Sequence, residues 1–139
     1  MRAAALAALA VAGCGDGRPE RVAVSGRVLI DGQPLEQGNV RFHPQDQRVA
    51  SAKLGPGGTF TLTTYDYGDG VVVGKHPVSV VAMENLNATT KKWLAPKKYC
   101  GPGSSGLAVE VTDATDDVEI QLSWDGGKPF VERIQGGGD

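Results

Sequence analysis

Few side chains of this 139-residue chain have types and spacing that could do chemistry. Asp66 and Asp69 stand in the stretch Asp66-Tyr67-Gly68-Asp69-Gly70. Two carboxylates on a glycine-bent loop could give oxygens to calcium, which takes about 6–8 of them. The remaining acidic positions of a helix–loop–helix calcium site are missing, and the same residues suit a turn whose carboxylates accept backbone N–H bonds. The turn is the expectation; Asp66 and Asp69 stay as weak metal candidates, and no cofactor is expected. His43 and His76 each precede a proline in separate stretches. A catalytic zinc needs about three side-chain ligands and a general base. Two histidines without a His-Glu-x-x-His motif do not make such a site, so no catalytic residue is expected, and both rings are placed at the surface or a sheet edge. Cys100 follows Lys97 and Lys98, whose charge could lower a thiol pKa; with no histidine close in sequence it reads as an inert thiol. Ser104 and Ser105 lack a Gly-x-Ser-x-Gly elbow and read as a turn. Trp93, Tyr99, Lys97 and Lys98, with Lys91 and Lys92, interleave rings with ammonium groups. Such a surface could hold a glycan, a peptide or an anionic surface. The competing expectation is that Trp93 and Tyr99 fold back over an open sheet edge, leaving the lysines solvated.

The other cysteine, Cys14, ends an apolar run. Met1 and Arg2 give a positive start, and Ala3 to Ala12 carry no polar side chain. That run is shorter than the roughly 20 residues a bilayer span needs. It fits the apolar segment of a secretory signal, about 7–15 residues long. Val11-Ala12-Gly13-Cys14 resembles the lipobox of bacterial lipoproteins. The resemblance implies that residues 1–13 are a signal peptide, that the Cys14 thiol takes a diacylglycerol, and that Cys14 becomes the N-terminus. Acyl chains contribute about 0.8 kcal/mol per buried methylene, and stable anchoring takes two or more signals. Residues 14–21 then form a polar tether. Gly15, standing where an Asp would retain a lipoprotein at the inner membrane, favours the outer membrane. The expected location is the cell envelope, anchored by lipid and facing the periplasm or exterior.

The totals agree with one domain beyond that signal. About 126 residues are enough for one core. Fourteen basic residues against sixteen acidic ones give a net charge of −2. A nucleic-acid partner would want a basic face, so none is expected. With Cys14 acylated, Cys100 has no partner within the chain; it is free or pairs between molecules.

What must position these side chains is a set of short strands. From Val22 the apolar residues recur every second position, the strand period. Val22, Val24, Val28 and Ile30 begin it; Val40 and Phe42, Ala50 to Leu54, and Phe60 and Leu62 continue it. Val78 to Ala82, Leu107 to Val111, and Val118 to Leu122 complete it. Val81 makes its strand apolar on both faces, hence central. About seven strands between glycine-rich turns predict an all-β domain over 22–124, a seven-stranded antiparallel Greek-key β-sandwich. Residues 83–106 read as a long irregular connection with a short helical turn near Thr90 to Leu94. Residues 125–139 read as a flexible C-terminal tail.

The stretch VSGRVLIDGQPLEQGNVRFHP resembles the opening of carboxypeptidase regulatory-like domains: a strand, an Asp-Gly-x-Pro-Leu turn, then Gly-x-Val-x-Phe. GPGGTFTLTTYDYGDGVVVGKHPVSVV resembles their next part, and PKKYCGPGSSGLAVEVT the closing part of small lipoproteins built from this domain. The resemblance implies a prealbumin-like sandwich and no zinc hydrolase site. His76-Pro77 departs from the pattern, which has an aromatic there; Cys100 also departs from it. Pro77 has no amide donor and belongs at a strand start or edge. The function expected is a lipid-anchored, exported, non-enzymatic module that binds or builds at the envelope, with the membrane and an envelope protein or glycan as partners. The alternatives are a calcium- or glycan-binding accessory module and a small envelope enzyme using Cys100 or an acidic pair.

Overall fold

The structure, a computed structural model, describes residues 17–133. They form an all-β domain with only two single-turn 3-10 helices, at Pro56–Gly58 and Lys97–Cys100. Seven strands fall where the alternation puts them: β1 (Val24–Ile30), β3 (Asn39–Phe42), β4 (Ala50–Lys53), β5 (Thr59–Thr61), β6 (Gly74–Val81), β9 (Leu107–Val111) and β10 (Thr115–Leu122). Four more are present: β2 (Gln33–Pro34), β7 (Met83–Asn87), β8 (Thr90–Trp93) and β11 (Phe130–Arg133).

Two sheets enclose the core. In one, β1 pairs with β10 along one edge and with β5 and β2 along the other. In the second the order is β4-β3-β6-β9. Val24, Val28, Phe60, Leu62, Ile120 and Leu122 from the first meet Val40, Phe42, Val78, Val80 and Val111 from the second. The Phe42 and Phe60 rings, centroids 6.3 Å apart, join the layers. A bridge between Ser51 and Thr63 ties β4 to the chain leaving β5. Strand β6 lies between β3 and β9, as its two apolar faces require.

The antiparallel expectation fails at one place. Strands β1 and β10 run parallel, Val28 opposite Ile120. Alternation fixes which face a residue takes and is silent on strand direction. The pair carries a bulge: Val24 faces Thr115, and Gly26 already faces Val118. A Cβ on Gly26 would lie 2.0 Å from the Val118 carbonyl oxygen, so this crossing needs glycine. Pro77 sits inside β6, away from its ends. Its carbonyl accepts the His43 N–H at 2.9 Å, one residue past the end of β3. Its missing donor therefore falls where the neighbouring ladder has stopped.

The stretches 83–106 and 125–133 are also more ordered than expected. Only Ala82 separates β6 from β7, and β7 turns back through Ala88 and Thr89 into β8. Residues 90–94 thus begin as a strand; the helical turn comes later, at Lys97–Cys100. Asp125 and Gly126 take positive φ, and Gly127 N–H donates to the Trp124 carbonyl at 2.9 Å. That turn reverses the chain and lays β11 along β8, making a third sheet in the order β11-β8-β7. Residues 125–133 are therefore not a loose tail.

Candidate functional site

Cys14 lies outside the described residues. The other proposed site residues are all placed, and the fold uses most of them.

Asp69 ends the turn after β5. Its Oδ1 accepts the Thr64 N–H at 2.7 Å, and its Oδ2 accepts those of Tyr65 and Asp66 at 3.0 Å each. Arg21 Nε stands 2.9 Å from the same Oδ2. Burial alone would push this carboxyl up; the three N–H donors and the guanidinium outweigh it and hold Asp69 below the ordinary carboxylate range. Asp66 faces outward, 3.5 Å from Arg18, so the two carboxylates do not converge. This is the turn, with Asp69 as its hub. Among the described residues no three His, Cys, Asp or Glu side chains gather as a metal site would require. Arg18, Arg21 and Arg48 all lie over the Tyr65 ring, 4.4, 4.9 and 5.1 Å from its centroid. So the last part of the tether is folded onto the domain.

The structure brings Trp93 and Lys97 together and sets Tyr99 and Lys98 beside them. Both rings are buried. Trp93 Nε1 donates to Glu132 on β11 at 2.9 Å, and Lys97 Nζ reaches the other oxygen of that carboxylate. Phe130 stacks on Trp93 and meets Trp124 edge-on. The Tyr99 hydroxyl accepts the Ser123 N–H at 3.0 Å and lies 3.3 Å from the Ser123 carbonyl. Lys98 pairs with Asp125 at 3.0 Å. The hydrogen bond from Lys97, with that from Trp93, holds the Glu132 carboxyl below its ordinary value. The rings pack against β11 and the body, in the fold-back arrangement. Sequence reading missed Phe130, Glu132 and Trp124 as their partners; Glu132 follows Trp93 by 39 positions and no local pattern links them.

His43 Nε2 lies 2.8 Å from Ser79 Oγ, and burial, with the charge of Arg41, pushes its imidazolium pKa down. His76 is not at the surface: it is 3% exposed, against Phe42, with Nε2 2.7 Å from the Val72 carbonyl and Nδ1 unpartnered. Gly74 leaves the room, since a Cβ there would come 3.1 Å from the ring. Burial pushes the Cys100 thiol up, against the charge of Lys97, and so disfavours the thiolate a nucleophile needs. Ser105 Oγ donates to the Val78 carbonyl and accepts the Leu107 N–H, closing the turn into β9.

Besides a hollow of about 360 Å3 beside Ala23, Ser25, Ala114, Thr115 and Asp116, two openings mark the described surface. A groove of about 440 Å3 crosses the outer face of β5, β1 and β10, lined by Ser25, Arg27, Thr59, Thr61, Asp117 and Glu119 among others. Across it, two nitrogens of the Arg27 guanidinium donate to the same oxygen of Glu119, at 3.1 and 2.9 Å. The second, about 270 Å3, is the seam between the free edges of β9 and β10, where Leu107 and Val109 face Glu119, Ile120 and Gln121. No helix among the described residues is long and apolar enough to cross a membrane. No family model, curated protein or solved structure matches the chain.

Proposed function

We propose that the chain is a lipid-anchored, exported, non-enzymatic β-sandwich that serves as a binding or structural module at the cell envelope. The observation that carries this reading is the apolar run ending in Val11-Ala12-Gly13-Cys14, followed at once by a polar tether and an all-β domain. The fate of the ionisable groups supports it: Asp69 caps a turn, Glu132 pins β11, and the Cys100 thiol is held in its weaker, protonated form. We also propose that β1, β3, β4, β5, β6, β9 and β10 form a prealbumin-like Greek-key sandwich of the carboxypeptidase regulatory-like kind. On this reading, β7, β8 and β11 are an arm added to it. Gly15 favours the outer membrane as the site of anchoring.

The test is fractionation of cells making the wild-type chain or Cys14→Ala. The wild type is expected with the membranes and resistant to salt and alkaline washing; Cys14→Ala is expected to lose that retention. A Cys14→Ala chain that stays as firmly bound as wild type would overturn the anchor.

A further inference from the structure

The charge of this molecule is sorted along its length. Between Lys98 and Lys128 there is no lysine or arginine, while Glu110, Asp113, Asp116, Asp117 and Glu119 all fall there. These five acids lie on β9, β10 and the turn between them; Glu119 lines the 270 Å3 seam itself, and Asp116 and Asp117 line the 440 Å3 groove on the other side of β10. Among the described residues only Glu119 of the five has an ion pair, with Arg27; Lys75 stands opposite Glu110 in the ladder. Leu107 and Val109, which line the seam, are only partly covered.

The arm of β7, β8 and β11 is the opposite. Lys91, Lys92, Lys97, Lys98, Lys128 and Arg133 belong to it and its flanks, against Glu84, Asp125 and Glu132. One face holds Trp93 and Phe130 against the body. Cross-strand register puts Val131, Lys92 and Glu84 together on the other face, with Arg133 two positions along from Val131; Leu86 stands in a bulge of β7, between Asn85 opposite Lys91 and Asn87 opposite Thr90. Val131 is 56% exposed and Leu86 47%. Lys92, Lys128 and Arg133 have no ion pair among the described residues. Among the described residues, β7 and β11, the outer strands of the arm, each leave one edge unpaired.

We infer that the occupant of the acidic seam is the basic arm of a second copy of this chain. Its exposed Val131 and Leu86 meet the part-covered Leu107 and Val109, and its cations meet the acids of β9 and β10. Like-on-like contacts are excluded by the same charges: β10 against β10 sets Asp116, Asp117 and Glu119 against themselves, a pattern that blunts edge pairing. Arm on seam is the one juxtaposition of these surfaces in which charge is complementary. The contact joins two different surfaces, so it either closes, as a reciprocal pair or a ring, or repeats head to tail. Anchoring in one plane would raise the effective concentration of arm and seam. That setting rests on the proposed lipid anchor; the contact itself does not.

The test is sedimentation velocity of the full chain in an excess of mild detergent micelles, with two variants. In the arm variant Lys92, Lys128 and Arg133 are changed to Gln; in the seam variant Glu110→Gln, Asp116→Asn and Asp117→Asn. All six positions are surface charges, and matching thermal melts certify the fold. Wild type is expected to associate with rising concentration at about 20 mM salt and to revert to monomer near 500 mM, where screening is strong. Each variant alone is expected to stay monomeric. Mixed, they retain one intact arm and one intact seam, and are expected to stop at one-to-one dimers. A wild type that is monomeric throughout, a variant that assembles like wild type, or a mixture that stays monomeric would each overturn the inference. So would a crosslinker at Gln121 in cells that captures only a different protein, which would assign the seam to that partner. Loss of Cys14 acylation would leave all of these solution outcomes unchanged, so failure of the anchor and failure of the contact are told apart.

Discussion

Asp69 gathers three backbone N–H groups and a guanidinium on one carboxylate. Removing it in Asp69→Ala leaves those donors without their acceptor and Arg21 without its counter-charge, and should destabilise the domain by about 2–3 kcal/mol in urea titration. The pH dependence follows from the sign of the shift. The folded carboxyl titrates below the unfolded one, so its contribution is complete above the unfolded value, near 4. It is lost as pH falls through the folded value. Melts of wild type and Asp69→Asn should therefore differ most near neutrality and converge below about pH 4; a gap that stays constant down to pH 2 would contradict the role. Gly70 is the companion case. Its φ is +87° and a Cβ would lie 1.7 Å from the Val22 carbonyl oxygen. Gly70→Ala should cost about 3 kcal/mol or more, whereas Gly32→Ala, at φ +80° with open space around it, should cost only about 1–2. The turn was legible in Asp66-Tyr67-Gly68-Asp69-Gly70 because its bonds are local. Arg21, Arg48 and Tyr65 were not, because only the folded chain brings positions 21, 48 and 65 together.

At the scale of elements, β11 is held to β8 by its ladder and by one carboxylate that serves both Trp93 and Lys97. Glu132→Ala leaves the Trp93 indole N–H without its acceptor and should loosen β11. The chain has two tryptophans, so a Trp124→Phe background isolates Trp93. Its emission should shift to the red in Glu132→Ala and much less in Glu132→Gln, which keeps an acceptor; no shift in either would mean that β11 does not depend on this carboxylate. The seven main strands were legible because apolar residues recur in them at every second position, with Val81 marking β6 as apolar on both faces. The arm was not: Thr90 to Trp93 puts two lysines beside each other, and β11 follows its partner β8 only after 36 further residues. Lysine stems cover apolar surface while their heads stay wet, so such a strand carries no apolar period. The parallel pairing of β1 with β10 is illegible for another reason: direction leaves no mark on alternation.

At the scale of the molecule, the arm is split along the chain: β7 and β8 fall between β6 and β9 and β11 follows β10, with five acids on β9, β10 and their turn and six cations on the arm and its flanks. The most direct test of the envelope account is the mass of the N-terminal peptide of the protein isolated from cells. The account predicts a peptide that begins at Cys14 and carries the added mass of a diacylglycerol on sulfur, with residues 1–13 gone. A peptide that begins at Met1, or at any residue after Cys14, with an unmodified thiol or none, would contradict it.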